Sequence, residues 1–135
     1  MSYSKPVPAI TAEMRPFFEA AARNELRIQR CTACGTHRFP ARAICSECLS
    51  LESEWVPVSG RGEIFSFNVM HQVYHPGFAV AVPYAVALVE LDDGGRMLTN
   101  VVACPIESLR VGLPVEVTFE QRSADVSLPQ FRPRA

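Results

Sequence analysis

Cys31-Thr32-Ala33-Cys34-Gly35, nine further residues to Ile44, and then Cys45-Ser46-Glu47-Cys48 is the stretch whose reading decides the fold. Two residues between cysteines let one tight backbone knuckle aim both sulfurs at a common point, with amide N–H groups free to donate to the thiolates. Gly35 follows the first pair, where a positive φ lets the chain turn away. Leu49 holds the same place after the second pair and suits it less well. The spacer from Gly35 to Ile44 is long enough for a strand out and back, which sets the two pairs face to face. Four thiolates in a closed shell suit zinc and leave no open position for chemistry. The same shell accepts iron, and reduced thiols or a disulfide pair are the competing reading. A structural site of this kind contributes on the order of 10 kcal/mol to folding. His37 lies in the spacer, where a solvated imidazole is the simpler reading than a displaced ligand.

The rest of the composition agrees with a small folded protein. At 135 residues, 48% apolar and 20% charged, the chain suits one compact domain or two small modules sharing a core. No apolar run approaches the roughly 18 residues of a membrane span. Met1 to Pro6 show no basic start followed by an apolar stretch, so no secretory signal is expected and the cytoplasm is the default compartment. Thiols stay reduced there, which favours metal binding over disulfides. Net charge is −1 but unevenly placed: residues 1–50 hold seven Lys/Arg against four Asp/Glu, and residues 51–100 two against six. A nucleic-acid grip would show a stronger basic excess. The basic third suits a smaller anion, such as the phosphates of a nucleotide-like cofactor.

Outward from the cysteines, residues 1–10 read as an extended arm. A helix begins after Thr11 or at Pro16, with Phe17, Phe18, Ala21, Ala22 and Leu26 at helical spacing. Glu13 and Glu19 early, with Arg23 and Arg27 late, match the helix dipole. Phe17 and Phe18 pack either on the chain's own core or on a partner. Leu26 to Arg30 alternates into Cys31 as a short strand. Beyond Leu49 come strand candidates at Trp55–Val58, at Glu63–Met70 with Phe65, Phe67 and Val69 on one face, at Tyr84–Leu91, at Arg96–Ala103 and at Pro114–Phe119. Asp92-Asp93-Gly94-Gly95 is a hairpin turn. Leu128 to Pro133 is extended. About five strands at this spacing fit a small antiparallel barrel, the OB-fold among them.

Candidate contacts to ligand or partner are few. Met70 to Phe78 mixes aromatics with His71, Tyr74 and His75, as binding loops on small barrels do. Arg38 and Arg42 in the cysteine spacer suit a phosphate of coenzyme A, with plain solvated charge as the alternative. Arg61, between Gly60 and Gly62, has room to approach a ligand, or to hold a surface ion pair. Cys104 reads as an inert buried thiol, and no catalytic residue is assigned.

A resemblance emerges once the cysteines are placed. Leu26-x-Ile28-Gln29-Arg30-Cys31-x-x-Cys34-Gly35, Pro40-x-Arg42-x-x-Cys45-x-x-Cys48, Glu54-Trp55-Val56-Pro57-Val58-Ser59-Gly60-Arg61-Gly62, Pro83-Tyr84, Val89-Glu90-Leu91-Asp92-x-Gly94, Val111-Gly112-Leu113-Pro114-Val115 and Phe131-Arg132-Pro133 follow in order. They resemble the zinc-ribbon plus OB-fold family associated with acyl-CoA enzymes, over nearly the whole chain. The resemblance implies a mainly β chain: an N-terminal arm and helix (1–28), a rubredoxin-like zinc ribbon (29–52) and a C-terminal five-stranded OB-fold (53–135). It also implies structural zinc on Cys31, Cys34, Cys45 and Cys48. The implied role is that of a non-catalytic subunit docking in a hetero-oligomer on a thiolase-like enzyme, an aldolase or a hydratase-like CoA enzyme. There it helps form the acyl-CoA channel, with coenzyme A or acyl-CoA shared with the partner. Two other functions fit the modules: a single-stranded nucleic-acid-binding module, and rubredoxin-like electron transfer, which requires iron.

Overall fold

The computed structural model describes residues 7–72, 76–78 and 82–134. Helix α1 (Arg15–Ala22) carries Pro16 in its first turn, where a missing N–H costs nothing. Thr11 acts just ahead of it, its Oγ1 accepting the Met14 N–H at 3.3 Å. The helix closes at Arg23, whose N–H bonds to the Ala20 carbonyl, and Asn24 follows at φ 59°. It is therefore shorter than its apolar spacing suggested. Glu13 precedes it, Arg23 caps it and Arg27 lies in the next strand, so the expected dipole pairing is absent. Phe17 and Phe18 are buried in the chain's own core, with Phe39 5.1 Å from Phe17 between ring centroids. Ala22 is exposed.

Strands β1 (Arg27–Cys31), β2 (His37–Arg38) and β3 (Ser53–Pro57) form an antiparallel sheet in the order β2-β1-β3. Trp55 sits opposite Gln29, so the segment containing Trp55 pairs with the strand leading into the cysteines and with no barrel strand. Strands β4 (Arg61–Met70), β5 (Tyr84–Leu91), β6 (Arg96–Val101), β7 (Pro114–Gln121) and β8 (Ser127–Pro133) close a barrel in the order β4-β5-β6-β8-β7. Neighbours are antiparallel except β6 and β8, which meet in parallel at Val101 and Phe131. This is the OB-fold, whose closure leaves no free sheet edge. Its interior is filled by Ile64, Val89, Met97, Val115 and Phe131, all nearly inaccessible to solvent. The extended tail at Leu128–Pro133 thus supplies the fifth barrel strand.

One inward assignment is corrected. The β4–β5 register slips between Ile64 and Ser66, so Phe65 is an extra, unpaired residue. Ile64 points inward, and Phe67 and Val69 resume the inner face after the slip. Phe65 stays 44% exposed, and the Arg96 guanidinium lies 3.7 Å above its ring centroid.

The Ser59-Gly60-Arg61-Gly62 segment joins the two sheets. A Cβ on Gly62 would lie 2.4 Å from the Glu90 carbonyl oxygen, and one on Gly60 (φ 79°) 2.4 Å from Val117 Cγ1. The β5–β6 turn is held from that side, since the Asp92 N–H donates to the Arg61 carbonyl at 2.9 Å. From the other side it abuts the ribbon: a Cβ on Gly94 would lie 3.0 Å from His37 Nδ1. No helix among the described residues is long and apolar enough to cross a membrane.

Candidate metal centre

Each cysteine pair sits on a knuckle built by the same two hydrogen bonds. Cys31 N–H donates to the Thr36 carbonyl and Gly35 N–H to the Cys31 carbonyl, each at 2.9 Å. In the second knuckle, Cys45 N–H donates to Ser50 at 3.0 Å and Leu49 N–H to Cys45 at 2.9 Å. Gly35 and Leu49 share the left-handed backbone, at φ 80° and 65°. Leu49 therefore takes a conformation that disfavours a side chain, which follows from its place after the second pair.

The four Sγ atoms all lie within 4.8 Å of one another, with Cys31–Cys48 at 3.5 Å and Cys34–Cys45 at 3.6 Å. A tetrahedral zinc with bonds of about 2.3 Å sets its sulfurs about 3.8 Å apart, so the cluster fits zinc closely. Cys31 and Cys45 are buried, whereas Cys34 and Cys48 face outward. Backbone N–H donation from Cys34 lowers the Cys31 thiol below its usual range. The Thr36 hydroxyl, 3.1 Å from Cys34 Sγ, and the Thr36 amide bring Cys34 down to about 6. At Cys48 the Ser50 amide pulls downward, but the neighbouring Cys31 sulfur, partial desolvation and the other two sulfurs prevail and raise it to about 12. Crowded sulfurs without a cation retain a proton, and a bound cation removes that obstacle. His37 is not among the ligands; it lies in β2 against the β5–β6 turn.

The remaining candidates divide among several surfaces. Arg38 and Arg42 line one groove of about 780 Å³ between the ribbon and the β5–β6 hairpin, together with Ser46, Glu90, Asp92 and Arg96. Arg38 is only 8% exposed, which replaces the reading of a solvated charge. Its Nε donates to Gln29 Oε1 at 2.8 Å and its Nη2 to the Arg42 carbonyl at 2.7 Å. Arg61 is exposed and lines a different depression with Pro114, Glu116 and Arg134. His71 is exposed beyond the far end of β4, where Met70 pairs with Tyr84, while Gly62 pairs with Leu91 near the hairpin turn. At about 3.3 Å per residue, β4 separates Arg61 from His71 by roughly 30 Å. Tyr74 and His75 lie outside the described residues. Cys104 is half-buried, and desolvation, then the charge of Glu107, push its thiol above the ordinary value, which disfavours a nucleophilic thiolate.

Sequence reasoning missed Gln29, Ser59 and Asp93. Gln29 Oε1 accepts from both Arg38 Nε and the Arg42 N–H at 2.8 Å and so orders the spacer. Its position opposite Arg38 follows from the β1–β2 register, which no local signal reveals.

Fold and site together define a two-module protein, a closed four-cysteine ribbon fixed beside an OB barrel. The chain belongs to the ChsH2 family: residues 18–54 match its rubredoxin-like zinc ribbon domain and residues 55–120 its C-terminal OB-fold domain. It is 40% identical over 129 residues to a probable enoyl-CoA hydratase alpha subunit of Thermomonospora curvata, covering 96% of this chain but 40% of that protein. It is 36% identical to a DUF35 domain-containing scaffold protein of Methanocaldococcus jannaschii, covering 71% of this chain and 68% of that one. A benzoylsuccinyl-CoA thiolase subunit, BbsA of Geobacter metallireducens, is 32% identical over 70% of this chain and 61% of its own. Among solved structures, a chain of an Ltp2–ChsH2(DUF35) aldolase superposes with a TM-score of 0.82 at 39% identity, covering 94% of this chain and 98% of that one.

Proposed function

We propose that this chain is a non-catalytic accessory subunit that docks on a thiolase-like or related acyl-CoA enzyme and helps form its acyl-CoA channel. The observation that carries this reading is the closed shell of four sulfurs. It fixes a rigid finger beside a barrel and gives the metal no open position for substrate. The chain then offers surface and not chemistry, in keeping with the raised Cys104 thiol. The kind of partner is suggested by relatives named as a scaffold, a thiolase subunit and a hydratase alpha subunit. Coenzyme A is shared with that partner, in the cytoplasm, and Arg38, Arg42 and Arg61 are its proposed contacts here. His71, beyond the opposite end of β4, is a further proposed contact, and Tyr74 and His75 are proposed with it from the sequence alone.

The test is co-expression of the tagged chain with thiolase-like, aldolase and hydratase-like proteins of the same organism. A stable complex with one of them is expected, together with no acyl-CoA turnover by the zinc-loaded chain alone. Cleavage or condensation of acyl-CoA by the isolated chain would sink the accessory role.

A further inference from the structure

Arg38 is a buried cation that no carboxylate answers among the described residues. Its Nε meets a neutral amide and its Nη2 a backbone carbonyl, while Nη1 is buried without any partner. Burying an unpaired charge is costly, and proteins accept it where a counter-ion completes the site. Arg38 and the exposed Arg42 both line the ribbon–hairpin groove from its ribbon side. Across the groove, Arg96 is already engaged by Glu90 at 3.3 Å and by the Phe65 ring. Asp92 is on that barrel side too. The cationic excess is therefore confined to the ribbon wall, and the acidic groups lie opposite.

We infer that this groove binds a phosphate group on its ribbon wall, with Arg38 as the buried counter-charge and Arg42 as the exposed arm. A dianion matches two guanidinium groups where a single carboxylate would match one, and guanidinium forks suit phosphate oxygens. Ser46 lines the same groove, and a serine hydroxyl can donate to such a group. A volume of about 780 Å³ exceeds what one inorganic ion fills, so a phosphate carried on a larger molecule also fits. Because the groove has one wall from each module, an occupant there also ties ribbon to barrel. This inference deepens the proposed contact of Arg38 and Arg42 with a cofactor phosphate, yet needs no partner enzyme.

The experiment is calorimetric titration of the zinc-loaded chain at low ionic strength with inorganic phosphate, pyrophosphate and 3′,5′-ADP, against sodium chloride at equal ionic strength. Binding of at least one phosphate compound above the chloride control is expected, weakened about tenfold or more in R42Q. R42Q retains the Arg42 backbone groups that bond to Arg38 and Gln29, and its zinc content and melting temperature report that it folds. R38K keeps the charge but loses the fork, and is expected to bind more weakly than the parent chain. If the simple anions bind as tightly as 3′,5′-ADP, the site takes free phosphate; if only 3′,5′-ADP binds, it takes a nucleotide phosphate. No binding above chloride, or equal binding by a folded R42Q, overturns the site. Such a failure leaves the complex with an acyl-CoA enzyme intact, and loss of that complex leaves the titration unaffected.

Discussion

The carboxylate of Asp93 accepts two hydrogen bonds from one residue, Ser59: the backbone N–H at 3.1 Å and the hydroxyl at 2.8 Å. Asp93 stands in the β5–β6 turn and Ser59 in the link from the ribbon sheet to the barrel. The contact pins that link to the hairpin that also touches His37 of the ribbon.

Asp93→Ala removes both bonds, whereas Ser59→Ala removes the hydroxyl one together with the acceptor of the Arg61 N–H at 3.2 Å. Both residues are exposed, which keeps the effects modest, at about 1 kcal/mol for Asp93→Ala and less for Ser59→Ala. Urea unfolding of the two single variants and the double variant checks this. The double variant is expected to lose less than the sum of the two single variants, because both act on the Ser59–Asp93 contact, and slightly more than Asp93→Ala, because the Arg61 N–H also loses its acceptor.

Gly60→Ala and Gly62→Ala should both destabilise but respond differently to a second change. The obstacle at Gly62 is the Glu90 backbone carbonyl, which cannot move without breaking β4–β5 pairing; a loss of about 3 kcal/mol or more is expected. At Gly60 the obstacle is chiefly Val117 Cγ1, so Val117→Ala should relieve most of the clash and leave the cost of a positive φ, about 1–2 kcal/mol, with a tight 3.2 Å approach to the remaining Cβ. Thermal melts of the single and paired variants distinguish the cases. Equal losses for G60A with and without V117A would contradict the assigned contact.

Leu49→Gly is expected to stabilise the zinc-loaded protein. The left-handed backbone at φ 65° costs a non-glycine residue about 1–2 kcal/mol. The leucine side chain is 74% exposed, so little burial is lost. Against this stands the greater freedom of glycine in the unfolded chain, about 0.5–1 kcal/mol. A rise in melting temperature of a few degrees is the expected outcome, and a fall would show that the exposed leucine has contacts of its own.

Metal removal is the largest perturbation expected. Elemental analysis should give one zinc per chain, and iron in its place would reopen electron transfer. Chelation should unfold the ribbon, with a loss on the order of 10 kcal/mol of binding free energy. Cys45→Ser should do the same without chelator, since Cys45 is fully buried and its sulfur has no substitute ligand nearby among the described residues. Amide exchange resolved along the chain would locate the loss in β1 and β2, whose connection carries the first knuckle.

The cysteine spacing made the ribbon legible because knuckle geometry is local, set within five residues of each pair. The barrel strands were legible where polar and apolar residues alternate, as in β7, or where a short run is almost wholly apolar, as in β5. Alternation says nothing about which strand pairs with which, so β3 was recognised as a strand without its partner β1. The slip at Phe65 was hidden because an aromatic residue reads as an inward position whether or not the register has moved. The burial of Arg38 was hidden for a similar reason: it depends on Gln29 across the sheet and on the hairpin beyond it, and a basic spacer alone reads as solvated. Ser59 and Asp93 are too distant in the chain for any motif to join them.

The unpaired residue in β4 also governs which changes of length this strand can accept. Removing Phe65 would leave Gly62, Ile64, Phe67 and Val69 in strict alternation, with every inward side chain still inward. Removing Glu63 instead would put Gly62 and Ile64 out of phase with each other. Insertions and deletions in descendants of this barrel should therefore collect at Phe65 and its outward neighbour Ser66, where length can vary while the interior keeps its face.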